Sequence, residues 1–109
     1  MNYGLTFDAE IHDAENEFEE KHIVTMPIDY LKMEKWAETA LEGEGDRAKS
    51  LYRNYACVWQ CLSRRGKLAE YGIGGELTVE VLEEMMGRYT VFVDEMTESA
   101  IPLAGGRPE

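Results

Sequence analysis

Apolar and polar residues alternate where this chain begins. Tyr3, Leu5, Phe7, Ala9 and Ile11 share one parity, while Thr6, Asp8 and Glu10 take the other. A period of two predicts a strand with one face buried and one face in water. The polar run His12–Glu17 supplies a turn, and Phe18–Met26 is expected to return as a second strand, completing a β-hairpin over 3–26. Its EFEEK portion also fits a helical turn. Pro27 closes the segment, because it has no N–H to give to a ladder.

The period then changes. Beyond Asp29, an expected N-cap, Met33, Trp36, Ala37, Ala40 and Leu41 recur at the three–four spacing of an amphipathic helix. Gly43 and Gly45 stop it. Asp46 is expected to cap a second helix, with Ala48, Leu51, Tyr52, Tyr55, Val58, Trp59 and Leu62 along a wide stripe. Arg64 and Arg65 sit at the negative end of its dipole, and Gly66 follows as a left-handed terminator. Residues 67–77, KLAEYGIGGEL, form a connector with room for one helical turn at Leu68–Tyr71. Thr78 caps a third helix, with Leu77 stapled on Leu82. Leu82, Met85, Met86, Tyr89, Phe92, Val93 and Met96 carry its stripe to residue 97. Gly87 inside it costs about 1 kcal/mol relative to Ala and is expected to mark a close helix crossing. These patterns predict an α+β, mostly helical fold: an N-terminal β-hairpin (over 3–26) or single strand, then a three- to four-helix bundle over 29–97. They form one domain over 1–98, and the Pro- and Gly-bearing tail over 99–109 is expected to be flexible.

Composition sharpens this picture. At 109 residues and 44% hydrophobic content, the chain can bury a modest core without staples. No apolar run is long enough for a bilayer, and MNYGLTFDAE lacks the basic-then-apolar order of a signal peptide, so a cytoplasmic location is expected. The net charge is −11, unevenly spread. Residues 1–29 carry eight acids against one Lys, whereas 46–67 carry one acid against six cations. An acidic surface repels phosphates, which disfavours nucleic acids and anionic membranes as partners. The basic segment is expected to pair internally with the acidic flanks.

Catalytic chemistry finds no anchor. Cys57 and Cys61 are one turn apart, but a zinc site would need two more ligands, and only the sequence-distant His12 and His22 are available. The pair is taken as packing, with no metal and no cofactor. Glu83 and Glu84 diverge around a helix, Ser50, Ser63 and Ser99 lack a nucleophile-elbow context, and YGIGGEL lacks the Lys-Ser/Thr of a phosphate loop. A non-enzymatic protein is expected. The heavy load of aromatic and Met side chains suggests instead an adaptable groove for an apolar helix, lined by Met33, Trp36, Tyr52, Tyr55, Trp59, Met85, Met86 and Tyr89.

The hairpin entry FDAEIHDAENEFEEKHIVTMPIDYLKMEKW, the helix LYRNYACVWQCLSRRG, a Gly-rich turn and LTVEVLEEMMGRY follow one another in order. Over residues 5–95 this layout resembles the small tail assembly chaperones of siphophages and their prophages. SRRG at 63–66 and LTVEVLEEM at 77–85 match best. The resemblance implies a protein that binds the long apolar-striped helix of a tape-measure protein, or another tail protein helix. It would keep that helix soluble until tail-tube subunits polymerise around it. It also implies a longer frameshifted product, which a flexible tail from Ser99 would suit. No residue here is carried over as an essential family position, and homo-oligomerisation stays open. The rival is an acidic interaction or inhibitor protein of phage or mobile-element origin, a DNA mimic or anti-regulator. Its acid rows would come from 8–20 and 76–98, and the basic middle segment argues against it.

Overall fold

The computed structural model describes residues 7–14, 18–19 and 23–95, and the expectations for 3–6, 15–17, 20–22 and the tail over 99–109 lie outside them. Strand β1 (Phe7–Asp13) is the centre of a small antiparallel sheet. Its alternation is realised as read: Ala9, Ile11 and Asp13 are buried, while Asp8, Glu10 and His12 are half-exposed on the other face. The returning chain pairs along one edge of β1 in two short stretches, β2 (Phe18–Glu19) and β3 (Ile23–Val24). Their registers differ by one residue, since His12 faces Glu19 but Ala9 faces Ile23.

Three helices follow: α1 (Pro27–Ala40), α2 (Asp46–Arg64) and α3 (Val79–Arg88). A 3-10 turn at Ala69–Tyr71 lies in the connector, where one helical turn was expected. The fold is therefore α+β and mostly helical. Two caps differ from expectation. Pro27 occupies the first position of α1, where a missing N–H costs nothing, so Asp29 is the third residue of the helix and not its cap. Gly45 caps α2, with Asp46 inside the first turn. The other ends match. Thr78 Oγ1 accepts from the Val81 N–H at 3.1 Å, and α2 ends in the predicted left-handed Gly66 (φ +69°). There the Lys67 N–H reaches the Leu62 carbonyl and the Gly66 N–H reaches that of Ser63, the paired bonds of a Schellman stop.

The third helix is shorter than its pattern suggested. It ends at Arg88, and Tyr89–Glu95 form strand β4, paired with β1 from Phe7↔Glu95 to Asp13↔Tyr89. The expected helical part over 29–97 is corrected accordingly. Tyr89, Phe92 and Val93 satisfy a helical spacing, but Tyr89, Val91 and Val93 satisfy a period of two equally well. Thr90, Val91 and Val93 are β-branched and lose rotamer freedom in a helix. The second edge of β1 also needs a partner for its buried main chain. Gly87 marks no crossing, since a Cβ there would meet nothing within 4 Å.

Helix α2 is polarised along its length more than around its circumference. Tyr55, Ala56, Cys57, Val58, Trp59, Cys61 and Leu62 are all buried, so this half is enclosed on every side. Val58, Cys61 and Leu62 pack on Ala9, Ile11, Ile23 and Tyr89 of the sheet. Tyr55, Ala56, Cys57 and Trp59 pack with Met33 of α1 and with Leu82 and Met85 of α3. The first half is open, and Leu51, placed on the stripe by its spacing, is exposed. Cations of the basic segment pair within the chain: Arg53 with Glu34, Arg64 with Asp29 and Lys67 with Glu70.

Candidate docking surface

The β3–α1 junction brings apolar side chains into water. Val24, Met26, Ile28 and Leu31 are 42, 46, 42 and 48% exposed, although all are large and apolar. The local structure explains why. Ile23 and Thr25 turn inward, so Val24 and Met26 turn outward with the extended chain. Helix α1 directs Met33 into the core, which leaves Ile28 and Leu31, three residues apart, on its opposite face. Exposed Lys32 and Lys35 continue that face.

One buried carboxylate holds the junction. Asp29 is 1% exposed, and its Oδ2 accepts the Met26 N–H at 2.9 Å. Arg64, at the far end of α2, donates to both of its oxygens at 2.9 and 3.0 Å. A charge-assisted bidentate pair of this kind fixes orientation as well as distance. Thr25 adds a second lock: its main chain and hydroxyl both bond Phe7.

The eight residues expected to line a groove lie elsewhere. Met33, Tyr55, Trp59, Met85 and Tyr89 are buried, and Trp36, Tyr52 and Met86 are half-buried against the same core. The structure does bring seven of them together, Tyr89 joining the neighbouring cluster, but as packing and not as an accessible wall. Their polar atoms serve the fold. Trp59 Nε1 donates to the Gly74 carbonyl at 3.0 Å, and the Tyr55 hydroxyl donates to the Tyr89 carbonyl at 2.8 Å. The Tyr52 hydroxyl donates to Glu83 at 2.7 Å, which pushes its pKa up to about 12. The residues missed in sequence are Val24, Met26, Ile28 and Leu31. Their signal was present: α1 carries apolar side chains on two opposite faces, and only one can be buried.

The remaining features do not converge on chemistry. An open depression of about 220 Å³ between α1 and α2 is lined by Glu34, Glu38 and Glu42 facing Lys49 and Arg53, over Ala37 and Leu41. Within it, Arg53 is bonded to both Glu34 and the Tyr30 hydroxyl. Cys57 and Cys61 are buried thiols. Burial, then the nearby Asp29 charge, pushes Cys57 up to about 12, and the same two causes raise Cys61. Such thiols are poor nucleophiles and poor ligands. Among the described residues, no three His, Cys, Asp or Glu side chains are grouped to hold a metal. No helix among them is long and apolar enough to cross a membrane. Comparison with protein-family profiles, with curated proteins and with solved structures returns no match for this chain.

Proposed function

We propose that this protein is a non-enzymatic tail assembly chaperone that binds an apolar-striped helix of a tape-measure protein in the host cytoplasm. The observation that carries this proposal is the exposed run Val24, Met26, Ile28 and Leu31 on a chain of net charge −11. A protein that must bind an insoluble helix needs apolar surface to hold it and charge to keep the complex dispersed. Ile28 and Leu31 supply the first at helical spacing, which suits the ridge of a client helix. Lys32 and Lys35 beside them offer partners for acids that flank the client's stripe. Covering the exposed halves of four such side chains is worth about 3–6 kcal/mol before the cost of association. That magnitude suits a client that is later surrendered to the tail tube.

The test is co-purification with a tape-measure fragment. Ile28→Asp with Leu31→Asp is expected to abolish it while the circular dichroism spectrum and unfolding midpoint stay near wild type. Undiminished co-purification by this folded double variant would overturn the proposal. Trp36→Asp with Trp59→Asp would report folding instead, because Trp59 lies inside the core.

A further inference from the structure

The oxidisable sulfurs of this chain are sorted by burial. Met33 and Met85 lie in the core, and Met86 is half-buried against it. Met26 is 46% exposed and stands on the docking face, two residues from Val24 on one side and two from Ile28 on the other. The thiols are poor competing targets. Burial, then the nearby Asp29 charge, raises the pKa of both Cys57 and Cys61, so at neutral pH each keeps the proton that makes a thiol slow to react. A thioether has no proton to lose and reacts where an oxidant can reach it. Among the described residues, Met26 is therefore the sulfur that a peroxide meets first.

Main chain and side chain of Met26 have separate tasks. Its N–H donates to Asp29 Oδ2 at 2.9 Å, and its carbonyl accepts from the Asp29 and Tyr30 N–H groups at 2.9 and 3.3 Å. Those bonds seat the start of α1, and a change at the far end of the side chain leaves them in place. The side chain instead contributes to the apolar face with Val24, Ile28 and Leu31. An unbranched, polarizable thioether adapts to the shape of an apolar partner. An oxygen added to that sulfur is a strong hydrogen-bond acceptor. The apolar stripe of a helix has no donor to offer it, so docking would bury the oxygen unpaired.

We propose that Met26 is a reversible oxidation site at which peroxides switch the docking face from apolar to polar. The step is a two-electron oxygen transfer from hydrogen peroxide. A lone pair of the Met26 sulfur attacks one peroxide oxygen, and the S–O bond forms as the O–O bond breaks. The departing hydroxide takes the proton of the transferred oxygen and leaves as water. Sulfur is oxidised to the sulfoxide and the peroxide is reduced. Methionine sulfoxide reductases reverse the change: a dithiol is oxidised to its disulfide, and the oxygen leaves as water. Release of a bound client follows from this switch and rests on the proposed function. The site and its change of polarity rest on the exposure of Met26 alone.

The experiment treats the full chain with hydrogen peroxide at neutral pH. Peptide mass mapping should show Met26 gaining one oxygen about ten times faster than Met33 and Met85, or more. The circular dichroism spectrum should not change. On hydrophobic-interaction chromatography the oxidised protein should elute earlier than the untreated one. Co-purification of a tape-measure fragment should fall about tenfold. Reductases for both sulfoxide epimers, with dithiothreitol, should restore retention and co-purification. In Met26→Leu, whatever its starting values, peroxide should change neither. Oxidation of Met33 or Met85 in the folded chain as fast as Met26 overturns the proposal. So does an oxidised Met26 that leaves retention unchanged, or a Met26→Leu variant whose retention peroxide lowers as much as that of wild type. Oxidised protein that holds the fragment as tightly as before overturns the release. An untreated wild type that never holds the fragment refutes the client reading instead, and the mass and retention results still decide the Met26 site.

Discussion

Removing Arg64 tests the physical centre of the fold. Asp29 is 1% exposed, and three hydrogen bonds hold its carboxylate: one from the Met26 N–H and two from Arg64. Arg64→Ala deletes two of them and leaves a buried carboxylate with one partner. Breaking a fully buried ion pair in this way costs about 3–5 kcal/mol. The Arg64 side chain is 38% exposed, so water can enter where the guanidinium was. The cost should therefore be about 2–3 kcal/mol, at or just below the bottom of that range. For a domain of this size that lowers the unfolding midpoint by about 8–24 °C. Asp29→Ala should cost about 3 kcal/mol, since it also frees the N-terminal main chain of α1. The double variant should cost little more than Asp29→Ala alone, because an Arg64 without its carboxylate can turn into solvent. Urea unfolding of the four proteins closes the cycle, with an expected coupling of about 2 kcal/mol. Additive single effects, or an Arg64→Ala cost below about 0.5 kcal/mol, would refute the view that this pair fixes the β3–α1 junction.

Two glycines should respond in opposite directions. Gly66→Ala forces a side chain into φ +69° and should destabilise by about 1 kcal/mol, whereas Gly87→Ala, in a helix with open space around it, should stabilise by about 0.5–1 kcal/mol. Chemical denaturation separates them, and a shared sign would contradict the assigned backbone. The Cys57 thiol, pushed up to about 12 by burial, binds its proton more tightly in the folded chain than in the unfolded one. Its contribution to stability is therefore complete below the usual thiol pKa and is lost as pH rises from there toward 12. Unfolding midpoints between neutral and strongly alkaline pH should fall less steeply in Cys57→Ala than in wild type. Native-state alkylation of Cys57 should need opening of the fold, so a rate equal to that of an unfolded peptide would refute the burial.

Local pattern carried far in this chain because local chemistry decides local structure. The alternation in β1, the stop at Gly66, the Thr78 cap and the spans of α1 and α2 rest on contacts within a few residues, and the sequence specifies those directly. Tyr89–Glu95 is the counterexample. Its apolar residues fit a helix and a strand alike, and pairing with β1, some eighty positions earlier, decides between them. The buried acids Asp13 and Asp29 depend on Arg88 and Arg64, which lie 75 and 35 residues away, and no spacing rule links them.

The same division separates core from surface. Periodicity identified Met33, Tyr55, Trp59, Met85 and Tyr89 as apolar faces, but whether a face is covered depends on what packs against it. Helix α2, caught between the sheet and the other two helices, covered all five. That left the second apolar face of α1, at Ile28 and Leu31, with no element of the described chain over it. The sequence by itself determined the extended β1, the helices α1 and α2 and which faces are apolar, since those properties follow from neighbouring residues. Only the tertiary structure decided which apolar face stays in water and that Tyr89–Glu95 is a strand, because burial and strand pairing join residues far apart in the chain.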